Sequence, residues 1–187
     1  MTPILESPLF SKQADLTYSS LPFNLDEDRG FHEHICRRRA EVAYLLINPK
    51  KEVFIVRKRM YPEGVFRIPT GGVKHGETPL QAITRELVEE TGMTMSPSAY
   101  ALKIEYTLSW PGSTKTFATH LFVFHTADQN PVIIDKDKEH DTHKFVGPSE
   151  LPQIFEILKR VQGPWNHWAV FRSILHDRIV EHAMWDL

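Results

Sequence analysis

The chain has one cysteine among 187 residues, no apolar run approaching the length of a bilayer span, no internal repeat and almost no net charge. Each shortage excludes something. Cys36 alone forms no internal disulfide. A transmembrane helix needs about 20 consecutive apolar residues, and the sequence offers none. The opening MTPILESPLFSKQ has neither the basic start nor the apolar stretch of a secretory signal, so a soluble cytoplasmic protein without membrane contact is expected. A formal charge of −2 gives no bulk attraction for nucleic acid or anionic lipid, so a bound polyanion must be gripped by local groups. The ten histidines include His32 with His34 and His140 with His143, but no second cluster at zinc spacing accompanies either pair, and a structural zinc is not expected.

What is present suits one ordinary globular domain with additions, at 41% apolar and 25% charged residues,. Residues 1–38 read as an N-terminal arm, polar and Pro-containing, with the acidic LDEDRG inside it. From Glu41, EVAYLLINPKKEVFIVRKR places two β-rich runs around the turn signal Asn48-Pro49, a hairpin. A Pro- and Gly-rich loop follows, then a helix. AYALKIEYTLSW and TFATHLFVFHT form a second hairpin about PGSTK. FVGPSELPQIFEILKRV reads as a short strand entering a helix. At the end, Trp168, Phe171, Leu175, Ile179 and Ala183 recur at spacings of three and four, the mark of an amphipathic helix. Strands on both sides of a helix predict an α/β sandwich with a mixed sheet, with a domain over 39–162 and the C-terminal helix over 163–187 packed on it or at a homodimer contact.

The helix after the glycine loop concentrates negative charge. In GGVKHGETPLQAITRELVEETGM, Thr78 is a good N-cap, Pro79 suits the first helical position, Gln81 completes a capping box and Gly92 is the natural stop. At about 100° per residue, Leu80, Ile83, Leu87 and Thr91 share one side, and Glu86, Glu89 and Glu90 share a neighbouring arc. Like charges at these spacings repel by ~0.2 to 0.5 kcal/mol per pair, near a helix end that favours cations. Arg85 offsets part of this. A hard divalent cation such as Mg²⁺, which prefers carboxylate oxygens and shares its shell with phosphates, explains the cluster; a solvated acidic face is the plain alternative.

Residues 71–93 resemble the Nudix box at every defined position: Gly71, Glu77, Arg85-Glu86-Leu87, Glu89-Glu90 and Gly92-Met93. The resemblance extends over about 40–162 and implies the family's α/β/α sandwich and a Mg²⁺- or Mn²⁺-dependent hydrolase acting on a nucleoside diphosphate linked to another moiety. It implies metal ligation by Glu86, Glu89, Glu90 and the Thr70 carbonyl, orientation of the carboxylates by Arg85, and a tie from loop to helix by Glu77. It also implies a catalytic loop carboxylate, for which Glu139 is the leading choice and Asp135, Asp137 and Asp141 are rivals. Two positions depart from the commoner pattern: Thr70 replaces a glycine, and Lys74 replaces a glutamate.

Arg57, Arg59 and Arg67 lead toward the loop, and strand alternation puts the first two on one face; arginine forks suit phosphate. The run Arg37-Arg38-Arg39 is a weaker candidate. Trp165, Trp168 and Phe171 read mainly as packing over a sheet face or a dimer contact, with stacking on a base as the alternative. Pro111-Gly112 resembles a feature of ADP-ribose and sugar-nucleotide hydrolases, which favours that substrate type over nucleoside triphosphates or dinucleotides. A non-catalytic nucleotide sensor is the alternative from another class. An RNA substrate has little support from the charge, and Cys36 is poorly placed for isomerase chemistry.

Overall fold

Eight consecutive residues, Ala40–Ile47, form strand β2 and all are buried, so this strand is covered on both faces. Its alternate side chains enter two separate cores. Val42, Tyr44 and Leu46 meet Ala82, Ile83 and Leu87 on one side, whereas Ala43, Leu45 and Ile47 meet Phe155, Phe171 and Leu175 on the other.

The computed structural model describes residues 17–22, 29–110, 112–135 and 140–187. Around β2 run strands β1 (Thr17–Pro22), β3 (Val53–Arg57), β4 (Thr70–Gly72), β5 (Ala99–Trp110), β6 (Ser113–His125) and β7 (Thr142–Val146). The helices are α1 (Arg29–Cys36), α2 (Pro79–Thr91), α3 (Leu151–Arg160) and α4 (Asn166–Glu181). The seven-stranded sheet has the order β1-β5-β6-β2-β3-β7, with β4 against β2. The β1–β5 and β2–β6 pairs are parallel, and β2–β3, β3–β7, β5–β6 and β2–β4 are antiparallel. With α2 over one face and α1, α3 and α4 contributing to the other core, this is the expected α/β/α sandwich on a mixed sheet. No helix among the described residues is long and apolar enough to cross a membrane.

Three differences from the sequence reading matter for the site. Within the segment read as an arm, β1 adds to the sheet and α1 covers it. The Pro- and Gly-rich loop is not wholly irregular: Thr70, Gly71 and Gly72 pair with Ala43, Val42 and Glu41, and Arg67 bridges Val56. Such pairing is supplied by the partner strands, so Thr-Gly-Gly carries no local sign of it. Last, α4 is less simply amphipathic than its spacing suggests. Trp168, Phe171, Leu175 and Ile179 are buried, but so are Arg172, Ser173 and His176, and Ala183 lies beyond the helix end at a positive φ.

The buried polar groups on α4 have partners: Ser173 donates to the Val170 carbonyl of its own helix, and Arg172 and His176 reach the sheet and the loop. Arg172 Nη1 donates to Glu41 Oε1 at 2.6 Å, and Thr119 Oγ1 donates to the same oxygen at 2.9 Å. His176 Nε2 accepts from the Ile68 N–H at 3.1 Å, while Nδ1 lies 2.7 Å from the Arg172 carbonyl. This fixes the neutral tautomer with its proton on Nδ1. Burial holds its pKa down to about 3. α4 is thereby docked onto the segment that leads into Gly71.

Candidate functional site

The ends of α2 form as its residues dictate. Thr78 Oγ1 accepts from the Gln81 N–H, Gln81 Oε1 accepts from the Thr78 N–H, and Gly92 stops the helix at φ 74°. Between them Arg85 is a hub. Its Nε and Nη2 donate to the two oxygens of Glu77 at 2.8 and 3.0 Å, and its Nη1 donates to Glu86 and Glu89 at 2.7 and 2.8 Å. Nη2 also reaches the Gly72 carbonyl at 2.9 Å. One guanidinium thus joins loop and helix and offsets three carboxylates, as charge-assisted bonds do best. These bonds pull the Glu77 carboxyl down to about 2. The backbone N–H of Lys74 adds a bond to Glu77. Lysine supplies that contact as well as any other non-proline residue, so the departure at position 74 leaves the loop intact.

Gly71 is required by contact. A Cβ there would lie 1.9 Å from Glu86 Cδ and 2.2 Å from Oε1, so the Glu86 carboxylate rests against bare backbone. Burial raises the Glu86 pKa, opposed by Arg85 and reinforced by Glu90. Glu90 is more deeply enclosed, at 3% exposure, and neither of its oxygens has a hydrogen-bond partner. His140 Nε2 lies 3.3 Å from Glu90 Oε1, outside hydrogen-bond geometry, and its Nδ1 is 3.6 Å from Asp135 Oδ2. The buried hydroxyl of Tyr44 faces Glu90 without a well-formed bond, and burial, the Glu90 charge and that hydroxyl–carboxylate contact drive its pKa far up.

An ionised carboxylate in such surroundings is costly unless a positive charge compensates it. Hard oxygen ligands on Glu86, Glu89 and Glu90 suit Mg²⁺ or Mn²⁺, and the absence of a well-formed hydrogen bond to Glu90 fits that group. Among the described residues, no three His, Cys, Asp or Glu side chains already converge as a ligand set; here Arg85 engages Glu86 and Glu89.

Beside this cluster lies a pocket of about 500 Å³, within the range of small-ligand sites. Thr70, Gly71, Gly72 and Glu86 form one side. Arg38, Lys58, Arg67 and Arg172 supply positive charge, and Phe31, Tyr61, Trp165 and Trp168 supply aromatic surface. His34 also lines it, exposed at its outer side, with partial desolvation in the pocket and the neighbouring Arg38 and Arg172 cations holding its pKa down to about 4.

The residues expected at the substrate divide. Arg67 lines the pocket but is 2% exposed. Its Nε donates to the Tyr61 hydroxyl at 2.8 Å, and its Nη1 to the Ile68 carbonyl and Thr70 Oγ1 at 2.7 and 3.0 Å. Arg57 and Arg59, expected to face the substrate, instead converge on Asp141, and neither lines the pocket. Strand alternation does not apply to this pair, because β3 ends at Arg57 and Arg59 lies in the turn beyond it; both meet Asp141, the residue before β7. The packing assigned to Trp165 and Trp168 is incomplete: both line the pocket, while Phe171 packs on the sheet core. Glu139 and Asp137 lie outside the described residues, as does Pro111. His140 beside Glu90, and Arg172 and Lys58 in the pocket, had no recognisable signal because only the folded chain brings them there.

The family model described as NUDIX domain matches residues 37–169. Among solved structures, a MutT protein from Methanosarcina mazei Go1 is 21% identical over 75% of this chain and 94% of its own, with a TM-score of 0.47. The E. coli dihydroneopterin triphosphate pyrophosphohydrolase is 17% identical over 71% of this chain and 92% of its own, at 0.46. The NUDIX domain of Shewanella oneidensis NrtR, in complex with ADP ribose, is 14% identical over 62% and 77%, at 0.45.

Proposed function

The chain belongs to the Nudix hydrolase family, and from that premise we propose that it is a divalent-cation-dependent pyrophosphohydrolase cleaving the phosphoanhydride of a nucleoside diphosphate linked to another moiety. One observation carries the reading: the buried Glu90 carboxylate accepts no well-formed hydrogen bond, although the Tyr44 hydroxyl and the His140 ring lie beside it, yet it lies in the same charge cluster as Glu86, which lines a basic pocket. Glu86, Glu89, Glu90 and the Thr70 carbonyl are the groups that would hold Mg²⁺ or Mn²⁺. When bound, the cation supplies charge screening of the diphosphate and acidifies the attacking water.

The chain's own residues perform the rest. Arg85 keeps the glutamates from repelling one another out of position and, through Glu77, fixes the loop against α2. Gly71 lets substrate oxygens and Glu86 approach the same stretch of backbone. Arg38 and Lys58 attract the phosphates. Glu139 is the proposed proton acceptor. The ADP-ribose or nucleotide-sugar type remains the favoured class on the strength of Pro111-Gly112. The triphosphate or dinucleotide alternative is favoured instead by the excess of cations over carboxylates along the pocket. The intact glutamate set argues against a sensor without catalysis, which needs no complete ligand set.

The test is product release from ADP-ribose, nucleotide sugars, dinucleotides and nucleoside triphosphates in Mg²⁺, comparing wild type with Glu90→Gln. Hydrolysis of at least one class, reduced at least ~100-fold in the variant, is the expected result, a loss comparable to that from removing a metal-binding or charge-stabilising group. Equal turnover by both proteins would remove Glu90 from the site, and a panel left wholly intact would favour the sensor.

A further inference from the structure

The pocket extends beyond the segment that the family model matches: Phe31, His34 and Arg172 line it from outside residues 37–169. We propose that the wall built by α1, Tyr61 and the start of the C-terminal helical region is a nucleobase subsite. It takes the planar base of a nucleotide against Trp165 and Tyr61, with the diphosphate directed past Arg38 and Lys58 toward Gly71 and Glu86. The inference rests on the pyrophosphohydrolase reading for the position of the diphosphate, but its test does not require turnover.

Three features specify the occupant. First, the wall is aromatic and fixed. Tyr61 packs on Trp168 with centroids 4.6 Å apart, and Trp165 meets Tyr61 and Trp168 nearly edge-on at 5.8 and 5.3 Å. Neither neighbour lies parallel to the half-buried Trp165 ring. Base-to-aromatic stacking needs such a rigid platform and tolerates any base, since every base has a π-face.

Second, the charge is of one sign. Arg38, Lys58 and Arg67 face a lining with one carboxylate, Glu86, while the charge of Arg172 is matched by Glu41 behind it. An aromatic box that bound a quaternary ammonium group would need the opposite balance, because cation–π attraction would be cancelled by these cations. A bare sugar is also a poor match, because it carries no charge to meet Arg38 and Lys58. An anionic aromatic ligand satisfies both wall and charge.

Third, a buried donor is left over. Arg172 is 5% exposed, Glu41 takes its Nη1, its guanidinium lies 5.1 Å from the Phe171 ring centroid, and its Nε has no acceptor. A buried N–H without a partner is unfavourable. An acceptor on the edge of a bound base, reached by a small rotation of this side chain, would relieve it. The mounting of α1 supports the same purpose: Lys115 Nζ donates to the carbonyls of Ile35, Cys36 and Arg38, tying the end of α1 to β6 where Arg38 enters the pocket.

Tryptophan fluorescence titrations in EDTA, where no turnover interferes, test this. The probes are AMP and ADP, with ribose 5-phosphate and inorganic pyrophosphate as base-free controls. Trp165→Ala and Trp165→Phe are compared with wild type, and isothermal calorimetry is run in parallel because the variants alter the fluorophore. AMP and ADP are expected to bind wild type, and Trp165→Ala to weaken them roughly 5- to 150-fold, the range of base–aromatic stacking. Trp165→Phe should recover most of the loss, and pyrophosphate affinity should not change. Equal weakening of ADP and pyrophosphate, or unchanged ADP affinity in a folded Trp165→Ala protein, would overturn the subsite. ADP binding with a normal Trp165 effect but no hydrolysis of any substrate would sink the pyrophosphohydrolase reading and leave the subsite standing.

Discussion

At Glu90, stability and the proposed metal-holding role pull in opposite directions. A carboxylate at 3% exposure with no well-formed hydrogen bond destabilises the metal-free fold, so Glu90→Gln is expected to leave the melting temperature in EDTA unchanged or raise it, by the equivalent of about 1 kcal/mol. In Mg²⁺ the order reverses: ligand linkage raises the wild-type melting temperature, and the variant gains much less. Melting curves in the two buffers check this, and an equal Mg²⁺ shift in both proteins removes Glu90 from the ligand set. Gly71→Ala separates the same two quantities. The nearest atoms its Cβ would meet are all in the Glu86 side chain, from Cγ to Oε1, which can swing away at the expense of its Arg85 bond, so the fold should survive with a loss on the order of 1 kcal/mol, while displacement of the carboxylate lowers turnover at least ~100-fold. Retained activity would show that the Glu86 position in this structure is not the working one. These residues were legible in the sequence because the box is local: Arg85, Glu86, Glu89 and Glu90 lie within two turns of one helix, with caps that announce its ends. His140, by contrast, approaches Glu90 from fifty residues away, and no spacing rule anticipates it.

Helix α4 shows how an element can be read correctly and its purpose missed. The spacing of Trp168, Phe171, Leu175 and Ile179 identifies a helix with an apolar stripe, but says nothing of what Arg172 and His176 find on docking. Arg172 pairs with Glu41 across 131 residues, a contact that only the sheet topology creates. Arg172→Met should cost about 3 to 5 kcal/mol because it strands a buried carboxylate, and adding Glu41→Gln should recover much of that; denaturant melts of the single and double variants measure the coupling. His176 adds a pH dependence. Its pKa is about 3 in the fold against 6.5 in the unfolded chain, so between these values the unfolded state binds more protons. Stability is therefore fully present above about pH 6.5 and falls as the pH drops toward 3. Burial lowers His120 to about 4, which acts in the same direction. In His176→Asn, whose amide can keep one of the two bonds, the loss between pH 6.5 and 4 should be smaller than in wild type by an amount on the order of a few kcal/mol. Parallel slopes in the two proteins would rule His176 out as the source.

For the whole molecule, the division at residue 162 is a question of energy. Residues 163–187 add Phe171, Leu175, Ile179 and Met184 to the main core, and each fully buried apolar side chain is worth ~1.5 to 3 kcal/mol. Four of them reach ~6 to 12 kcal/mol, comparable to the entire stability of an ordinary domain. Their removal would also leave Glu41 without Arg172 and the Ile68 N–H without His176. A chain ending at 162 should therefore show no cooperative unfolding transition by far-ultraviolet circular dichroism, and should elute as an expanded or aggregated species. Cooperative unfolding of that shorter chain with a wild-type denaturant slope would instead make 39–162 self-sufficient and the final helix an appendage. The same dependence governs the pocket, whose glutamate side belongs to the local motif at Gly71 to Gly92 but whose opposite wall comes from α1, Tyr61 and the C-terminal segment. In the proposed reading the motif holds the chemistry within one stretch of chain, while the base contacts come from Tyr61, α1 and the segment after residue 162, so loss of α1 should weaken nucleotide affinity even where the box glutamates remain intact.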